Sequence, residues 1–307
     1  MTTDNTIQDR YLGCMLGLAV GDAFGTTQEF TEANNPYRKG RQTKMLGGGA
    51  FKLPKGAWTD DTSMMLCLAE SLWYCKGINH KDQMDRYLAW YENGHNSSIG
   101  RCFDIGGACR SALFSYERKG DPIAGKADAA GNGALMRIAP AIMAARDRNE
   151  AQCWALETTI TTHGHRHAIT ASKVFATILW RLLSGYSKEV ALDLPFVGLS
   201  ATFDFLSEGT FKQKWTKKNP HRGTGYVVQS LEAALWAFWE GKSYEETIIL
   251  AANLGEDADT TAAIAGMLAG AYYGKSGIPA EMLSEVYFSD YIEVLARRML
   301  EMSLQDE

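Results

Sequence analysis

Between Thr59 and Cys75, apolar residues recur at the spacing of one helix face, with Met65, Leu68, Ala69 and Leu72 at i, i+3, i+4 and i+7. The same period predicts helices over residues 8–24, 80–92, 105–117, 133–146, 150–159, 168–184, 226–240, 244–252 and 285–304. Alternating runs bounded by hairpin turns are almost absent, so strands are not expected. The pattern is that of an all-α protein. Two stretches interrupt it. Residues 31–57 contain Pro36, Gly40, Gly47, Gly48, Gly49, Pro54 and Gly56 and read as a long irregular loop, of the kind that serves as a lid or binding loop. From Tyr186 to Gly225, Pro195, Pro220 and several glycines leave no definite element.

One more helix-forming run, AAIAGMLAGAYY, lies within Asn253–Gly274 and carries Gly266, Gly270 and Gly274 at every fourth position. Each glycine inside a helix costs about 0.5–1 kcal/mol relative to alanine. A stripe of them implies that a second backbone comes close on that face. Gly13, Gly17, Gly21 and Gly25 repeat the spacing near the N-terminus, which predicts that the two helices cross at close range near the centre of the molecule. Membrane helices pair through similar stripes. Neither segment reaches the ~18–20 apolar residues that span a bilayer, so a close-packed soluble core is the expected setting.

The chain of 307 residues shows no internal repeat and no low-complexity linker. Its 46% hydrophobic and 22% charged residues are those of an ordinary globular protein. A net charge of −5 argues against nucleic acid as a main partner. The lysines and arginines of FKQKWTKKNPHRG (211–223) could attract a diphosphate or an acidic partner, but a solvated loop accounts for them better. The start MTTDNTIQDR lacks the basic end and apolar run of a signal peptide. Cysteines at 14, 67, 75, 102, 109 and 153 form no CxxC pair and read as free thiols in a reducing compartment. Together these features predict a cytoplasmic protein with no membrane span.

Candidate chemistry concentrates in two short acidic motifs. Thr59, Asp60 and Asp61 open one predicted helix, and Asp257, Asp259 and Thr260 open another. Acidic first turns favour the helix dipole, and helix capping alone would explain either motif. Two such clusters together are four carboxylates and two hydroxyls, hard oxygen donors suited to Mg²⁺ or Mn²⁺ and ill suited to zinc. Brought together by folding, they could hold two divalent ions, whose charge would offset the mutual repulsion. His163, His165 and His167 have no cysteine or carboxylate pattern around them that would support zinc.

These motifs, in order, resemble the ADP-ribosylglycohydrolases, with the nearest likeness to the dinitrogenase-reductase-activating enzymes that remove ADP-ribose from arginine. The resemblance rests on LGCMLGLAVGDAFGTTQEF (12–30), GGGAFKLPKGAWTDDTSM (47–64), FDIGGACR (103–110), GNGALMRIAP (131–140), TTHGH (161–165), GYVVQSLEAAL (225–235) and GEDADTTAAIAGMLAGAYYG (255–274). It covers nearly the whole chain. It implies one domain over 1–307, an orthogonal helical bundle with a flexible tail at 1–8 and a cleft or partner loop at 31–57. It also implies a binuclear Mg²⁺ or Mn²⁺ centre on Thr59, Asp60, Asp61, Asp257, Asp259 and Thr260, beneath the ribose whose anomeric carbon carries the modified side chain.

The resemblance further implies that Asp104 and Glu29 face the scissile bond, with Asp104 as the main catalytic carboxylate and Glu29 as a metal-gating or water-positioning partner. Gly131, Asn132, Gly133 and Met136 match positions that hold the ribose and diphosphate. His163, and less closely His165, match a cleft segment, and Tyr226 matches an aromatic position beside the nucleotide. Gly107 departs from the pattern, standing where close relatives carry Asn in a DIGN-type motif, and the loop over 31–46 matches poorly. The implied activity is hydrolysis of ADP-ribosyl-arginine on a protein substrate, releasing ADP-ribose. Two alternatives stay open: a binding protein that sequesters an ADP-ribosyltransferase, and a hydrolase of another linkage, such as ADP-ribosyl-serine or O-acetyl-ADP-ribose.

Overall fold

The computed structural model describes residues 3–33, 39–194 and 222–305, with side chains from residue 7 onward. In chain order its helices are α1 (Thr3–Gly25), α2 (Asp60–Cys75), α3 (His80–Asn93), α4 (Gly107–Lys119), α5 (Ala139–Met143), α6 (Arg148–Ile160), α7 (Arg166–Leu183), α8 (Lys188–Leu192), α9 (Val227–Glu240), α10 (Tyr244–Ala252), α11 (Ala258–Tyr273), α12 (Ala280–Glu285) and α13 (Ser289–Ser303). Strand-type pairing among the described residues is confined to three isolated bridges, including Gly131 with Tyr226. The all-α expectation holds. No described helix is long and apolar enough to cross a membrane.

Helix α1 is buried from Tyr11 to Thr26 and forms the axis of the molecule. It packs against α11 along the two glycine stripes, running antiparallel to it. Gly13 faces Gly270, Gly17 faces Gly266, Gly21 faces Ala262 and Gly25 faces Ala258. A methyl group built at any of the four α1 glycines would come within 3.0 Å of the carbonyl oxygen opposite. The remaining helices bury their apolar faces around this pair. Tyr244 of α10, fully buried, donates its hydroxyl to the Gly17 carbonyl at 2.7 Å and seals one side of the crossing.

Several boundaries differ from the sequence expectation. Helix α1 begins at Thr3 rather than residue 8. The helix expected over 133–146 shrinks to α5, preceded by turns. Pro140 would lie in the interior of the longer helix, where its ring collides with the carbonyl four residues back; here it sits in the first turn of α5. The helix expected over 285–304 starts only at Ser289, after Phe288, which takes a left-handed φ of 54°. The break is held by the neighbouring loop: the Tyr287 N–H donates to the Gly56 carbonyl, and the Trp58 indole donates to the Tyr287 carbonyl. Helix α8 lies in the stretch that predicted no element; residues 195–221 of that stretch, with the basic residues 211–221, fall outside the described residues, as do 34–38 of the long loop.

The crossing has a direct test. Gly17→Val and Gly266→Val each drive a side chain into a backbone carbonyl that cannot retreat. Each is expected to lower stability by about 3 kcal/mol or more in urea unfolding. Gly106→Ala, where an added Cβ meets nothing within 4 Å, serves as the control and is expected to unfold at the parent's midpoint.

Candidate active site

The antiparallel register sets the end of α1 beside the start of α11, and the start of α2 is tied to both by Asp22. This residue is fully buried in the last turns of α1. One of its oxygens accepts from the Thr59 N–H at 2.9 Å and the Thr59 hydroxyl at 3.0 Å. The other accepts from the Thr62 N–H at 3.0 Å and the Thr62 hydroxyl at 2.6 Å. Thr59 is the N-cap of α2 but makes no capping bond itself, so Asp22 satisfies the free N–H groups of α2 from a different helix.

The two acidic motifs meet there. The Thr59 hydroxyl lies 3.2 Å from an Asp259 oxygen and 3.3 Å from Asp61 Oδ2, and the Thr260 hydroxyl lies 3.2 Å from that same Asp61 oxygen. Each hydroxyl has a single proton to give. Carboxylate oxygens therefore outnumber the donors, and Asp61 Oδ1 and Glu29 Oε2 are buried without a hydrogen-bond partner. Glu29, Asp257 and Asp259 each present an oxygen within 4.8 Å of the others, a span that one cation with metal–oxygen bonds of about 2.0–2.6 Å can bridge. The donor chemistry and the orphaned oxygens fit a hard divalent cation.

Burial and mutual repulsion oppose ionisation throughout the cluster. Desolvation, then the charges of Asp104 and Asp257, push Glu29 up to about 9. Desolvation, then Asp257 and Asp22, push Asp104 up to about 8. Asp60, Asp61 and Asp259 are raised well above the usual carboxylate range, first by burial and then by their acidic neighbours. Asp257 is raised by burial, against the hydrogen bond it accepts from Asn132. Burial raises even Asp22 to about 6, despite its four donors.

A cavity of about 250 Å³ opens over this cluster, and Glu29, Asp60, Asp104, Asp257 and Thr260 form its acidic side. Gly131, Asn132, Gly133, Met136 and His163 line it as well. Thr59, Asp61 and Asp259 are not part of the lining; their side chains join the network through the contacts just described. A second cavity of about 820 Å³ shares Glu29, Asp104, Gly106, Gly225 and Asp257 with the first. Asp104 adopts a left-handed φ of 57°, a strained backbone that aspartate tolerates better than most residues. Gly107 also lines the smaller cavity, and a Cβ there would meet nothing within 4 Å.

On the opposite side, Asn132 spends its amide on Asp257 Oδ2 at 2.6 Å and on the Ser230 hydroxyl at 2.8 Å. Its side chain orients a carboxylate of the cluster. His163 is buried and held neutral, its pKa lowered to about 3 by burial and the nearby Arg137 charge. Arg137, also fully buried, donates to the Gly133 carbonyl at 2.9 Å and to the Thr162 hydroxyl at 2.7 Å. That hydroxyl lies 2.8 Å from His163 Nδ1. With Arg137 donating to the oxygen, we assign the hydroxyl proton to Nδ1, which leaves the imidazole proton on Nε2 beside the glycine turn. His165 caps α7, accepting from the His167 N–H. Tyr226 pairs its hydroxyl with His167 at 2.7 Å and lines neither cavity.

Asp22 and Arg137 are the functional residues that motif reasoning missed. Each is the only charged residue in its apolar run, LGCMLGLAVGDAFG and ALMRIAP, and a lone charge that folding must bury was the available signal. Asp22→Asn turns an acceptor into a donor facing N–H and O–H groups. It is expected to cost about 1–3 kcal/mol in thermal or urea unfolding, and to weaken divalent-cation binding in calorimetry.

The raised carboxyls also set a pH dependence. In the folded, cation-free protein Glu29 and Asp104 keep their protons up to about 9 and about 8, against ordinary values of 4.5 and 3.8 when unfolded. The folded state binds more protons across that interval, so these groups cost stability increasingly as pH rises through it. A cation bound beside Glu29 displaces its proton, and the added positive charge also favours loss of the proton on Asp104. The cation's apparent affinity is expected to tighten between pH 6 and 8, by up to about tenfold per pH unit for each proton displaced. Mg²⁺ titration calorimetry across that range, in buffers of different ionisation enthalpy, measures both the affinity and the proton count.

Known proteins resemble this chain over nearly its whole length. The chain is 41% identical over 300 residues to the ADP-ribosylarginine hydrolase Tri1 of Pseudomonas putida, covering 97% of this chain and 79% of the relative. It is 32% identical to the ADP-ribosyl-[dinitrogen reductase] glycohydrolase of Rhodospirillum rubrum, covering 92% of each. A solved structure described as an ADP-ribosylglycohydrolase-related protein complex superposes with a TM-score of 0.84 at 43% identity, over 98% of this chain and 100% of the other. The ADP-ribosylglycohydrolase family model matches residues 3–307, and with the acidic cluster in place the chain belongs to the ADP-ribosylglycohydrolases.

Proposed function

We propose that this protein hydrolyses the N-glycosidic bond between ADP-ribose and an arginine side chain on a protein, using two divalent cations, Mg²⁺ or Mn²⁺. The observation that carries the reading is the junction of two cavities at Glu29, Asp104 and Asp257, directly over a carboxylate cluster short of hydrogen-bond donors. The relatives named as ADP-ribosylarginine hydrolase and ADP-ribosyl-[dinitrogen reductase] glycohydrolase support arginine as the linkage. All six cysteines are free thiols, which supports a cytoplasmic place of work.

Thr59, Asp60, Asp61, Asp257, Asp259 and Thr260 would hold the cations, with Glu29 sharing one of them through its position beside Asp257 and Asp259. Bound there, hard divalent ions supply charge stabilisation and a template for vicinal ribose hydroxyls. The smaller cavity takes the distal ribose and diphosphate. Its glycine turn lets backbone approach closely, Met136 gives an apolar floor, and His163 offers its Nε2 proton. Tyr226 stands outside the lining, where it can meet only the outer end of the nucleotide.

Asp104 remains for the proton. It faces both cavities and does not belong to the three carboxylates that bracket one cation. In the proposed step Asp104 takes a proton from water as the water oxygen bonds to the anomeric carbon. The C–N bond breaks with its electron pair going to the guanidine, and the proton passes to that nitrogen. Developing positive charge on the ribose is stabilised by the surrounding carboxylates.

The test is release of free ADP-ribose from an arginine-ADP-ribosylated protein. Release is expected with Mg²⁺ or Mn²⁺ and not with chelator. Asp60→Ala and Asp257→Ala should each lower it by roughly 100-fold or more, as should Asp104→Asn, a loss of the order that a general base supplies. No release from the cation-loaded parent, or release indifferent to chelator, would sink the reading. Suppression of a transferase by the Asp104→Asn variant would point instead to sequestration.

A further inference from the structure

The larger cavity has a built lip whose chemistry matches the other half of the substrate. Phe30 and Glu256, both in its lining, adopt left-handed φ values of 58° and 56°. For residues other than glycine, such backbone costs roughly 1–2 kcal/mol each. The two are locked together: the Phe30 N–H donates to the Glu256 carbonyl at 2.7 Å, and the Glu256 N–H donates to the Thr31 carbonyl at 2.8 Å. Gly255 makes the tight approach possible, because a Cβ there would press within 3.0 Å of the Glu32 carbonyl oxygen.

The strained pair presents a carboxylate and an aromatic ring together. Phe30 is 68% exposed, although an unburied phenylalanine gains nothing from packing. It stands edge-on to Phe51 at 6.0 Å, and Phe51 stands edge-on to Phe103 at 5.4 Å, so an aromatic strip leads to the residue next to Asp104. Glu256 already holds a guanidinium. Arg222, whose neighbour Gly223 accepts a hydrogen bond from the Asp257 N–H, pairs with it in the cavity lining, with Nε 3.1 Å from both Glu256 oxygens and an Nη also on Oε1. The Arg222 side chain is 60% exposed and that of Glu256 18%. The guanidinium side of the pair is open to water, where screening weakens it and a competing guanidinium can reach the carboxylate.

We infer that Glu256 is the recognition carboxylate for the arginine side of the substrate, taking the guanidinium of the modified arginine in place of Arg222, with Phe30 against the guanidinium face. The inference rests on the proposed function and deepens it. If ADP-ribose fills the smaller cavity, the leaving side chain must lie in the larger one, because the two meet at Asp104 and Glu29. An arginine carrying ADP-ribose on one nitrogen keeps its positive charge and a planar fork of N–H donors, the groups that a carboxylate binds side-on and an aromatic ring stacks upon. A serine-linked substrate offers neither. Glu256 thus selects the linkage, and Arg222 is an internal stand-in that keeps the carboxylate paired when the cavity is empty.

The test uses the full-length, Mg²⁺-loaded protein as parent, Glu256→Gln and Arg222→Ala. Three quantities are measured for each: KM and kcat on ADP-ribosyl-arginine, calorimetric affinity for ADP-ribose, and binding of agmatine by saturation-transfer NMR. Glu256→Gln is expected to raise KM about tenfold, the loss of a charge-assisted pair, and to weaken agmatine to a similar degree. Its kcat should stay within about twofold and its ADP-ribose affinity should not change. Arg222→Ala removes the internal competitor and is expected to lower KM and tighten agmatine by about two- to fivefold. An unchanged KM in Glu256→Gln overturns the inference. Equal losses for substrate and ADP-ribose also overturn it, as does a rise in KM in Arg222→Ala, since either would make the ion pair a brace for the lip. Should the parent release no ADP-ribose from arginine, the proposed function fails, and agmatine binding still reports on Glu256 by itself.

Discussion

Backbone-to-backbone contact between α1 and α11 is the constraint on which the rest of the structure depends. Four positions on α1 carry no side chain, and each meets a carbonyl of α11 one turn further along. Contact this close admits a single register, because a slip by one residue would set a Cβ where only hydrogen fits. The register also fixes the chemistry. It brings the last turns of α1, with Asp22 and then Glu29, against the first turn of α11, with Asp257, Asp259 and Thr260. The glycine stripe and the acidic motif therefore form one device, in which the first determines where the second can act.

The second constraint is electrostatic, and it opposes folding. Asp22, Asp60, Asp61 and Asp259 are nine-tenths or more buried in one small region, with Glu29 beside them. Local donors meet part of the cost. Asp22 receives four hydrogen bonds and Asp257 receives one from Asn132, but Asp61 and Glu29 each keep a buried oxygen without a partner. Such a site favours a strongly charged hard cation over a network of neutral donors. A neutral His163, kept so by burial and Arg137, adds a donor to the same cavity without adding another charge to the cluster.

Backbone strain recurs around the larger cavity. Phe30, Asp104 and Glu256 all have left-handed backbone and all line the larger cavity. The conformations of Phe30 and Glu256 are held by the paired hydrogen bonds between Phe30, Thr31 and Glu256. The helical body is regular and the lip is not. That division is expected where a rigid scaffold positions a few side chains at a fixed distance from reacting atoms.

Much of this was legible in the sequence by itself. Helix positions follow from a local period of apolar residues, so α2, α3 and α10 lie within a residue or so of their expected spans. The glycine stripes announced a close crossing because glycine in a helix has no local justification. The acidic motifs announced hard-cation chemistry by residue type. What only the tertiary structure decided concerns residues far apart in the chain. Thr59 and Asp259 are 200 positions apart, and no periodicity records that they touch. The same holds for Asp22 capping α2, for the loop contact that separates α12 from α13, and for the hydrogen bond from Asn132 to Asp257. Local sequence determines which segments become helices, because a helix is satisfied by its own neighbours. Which carboxylates share one cavity depends on how those helices cross, and that is settled by contacts the linear order does not contain.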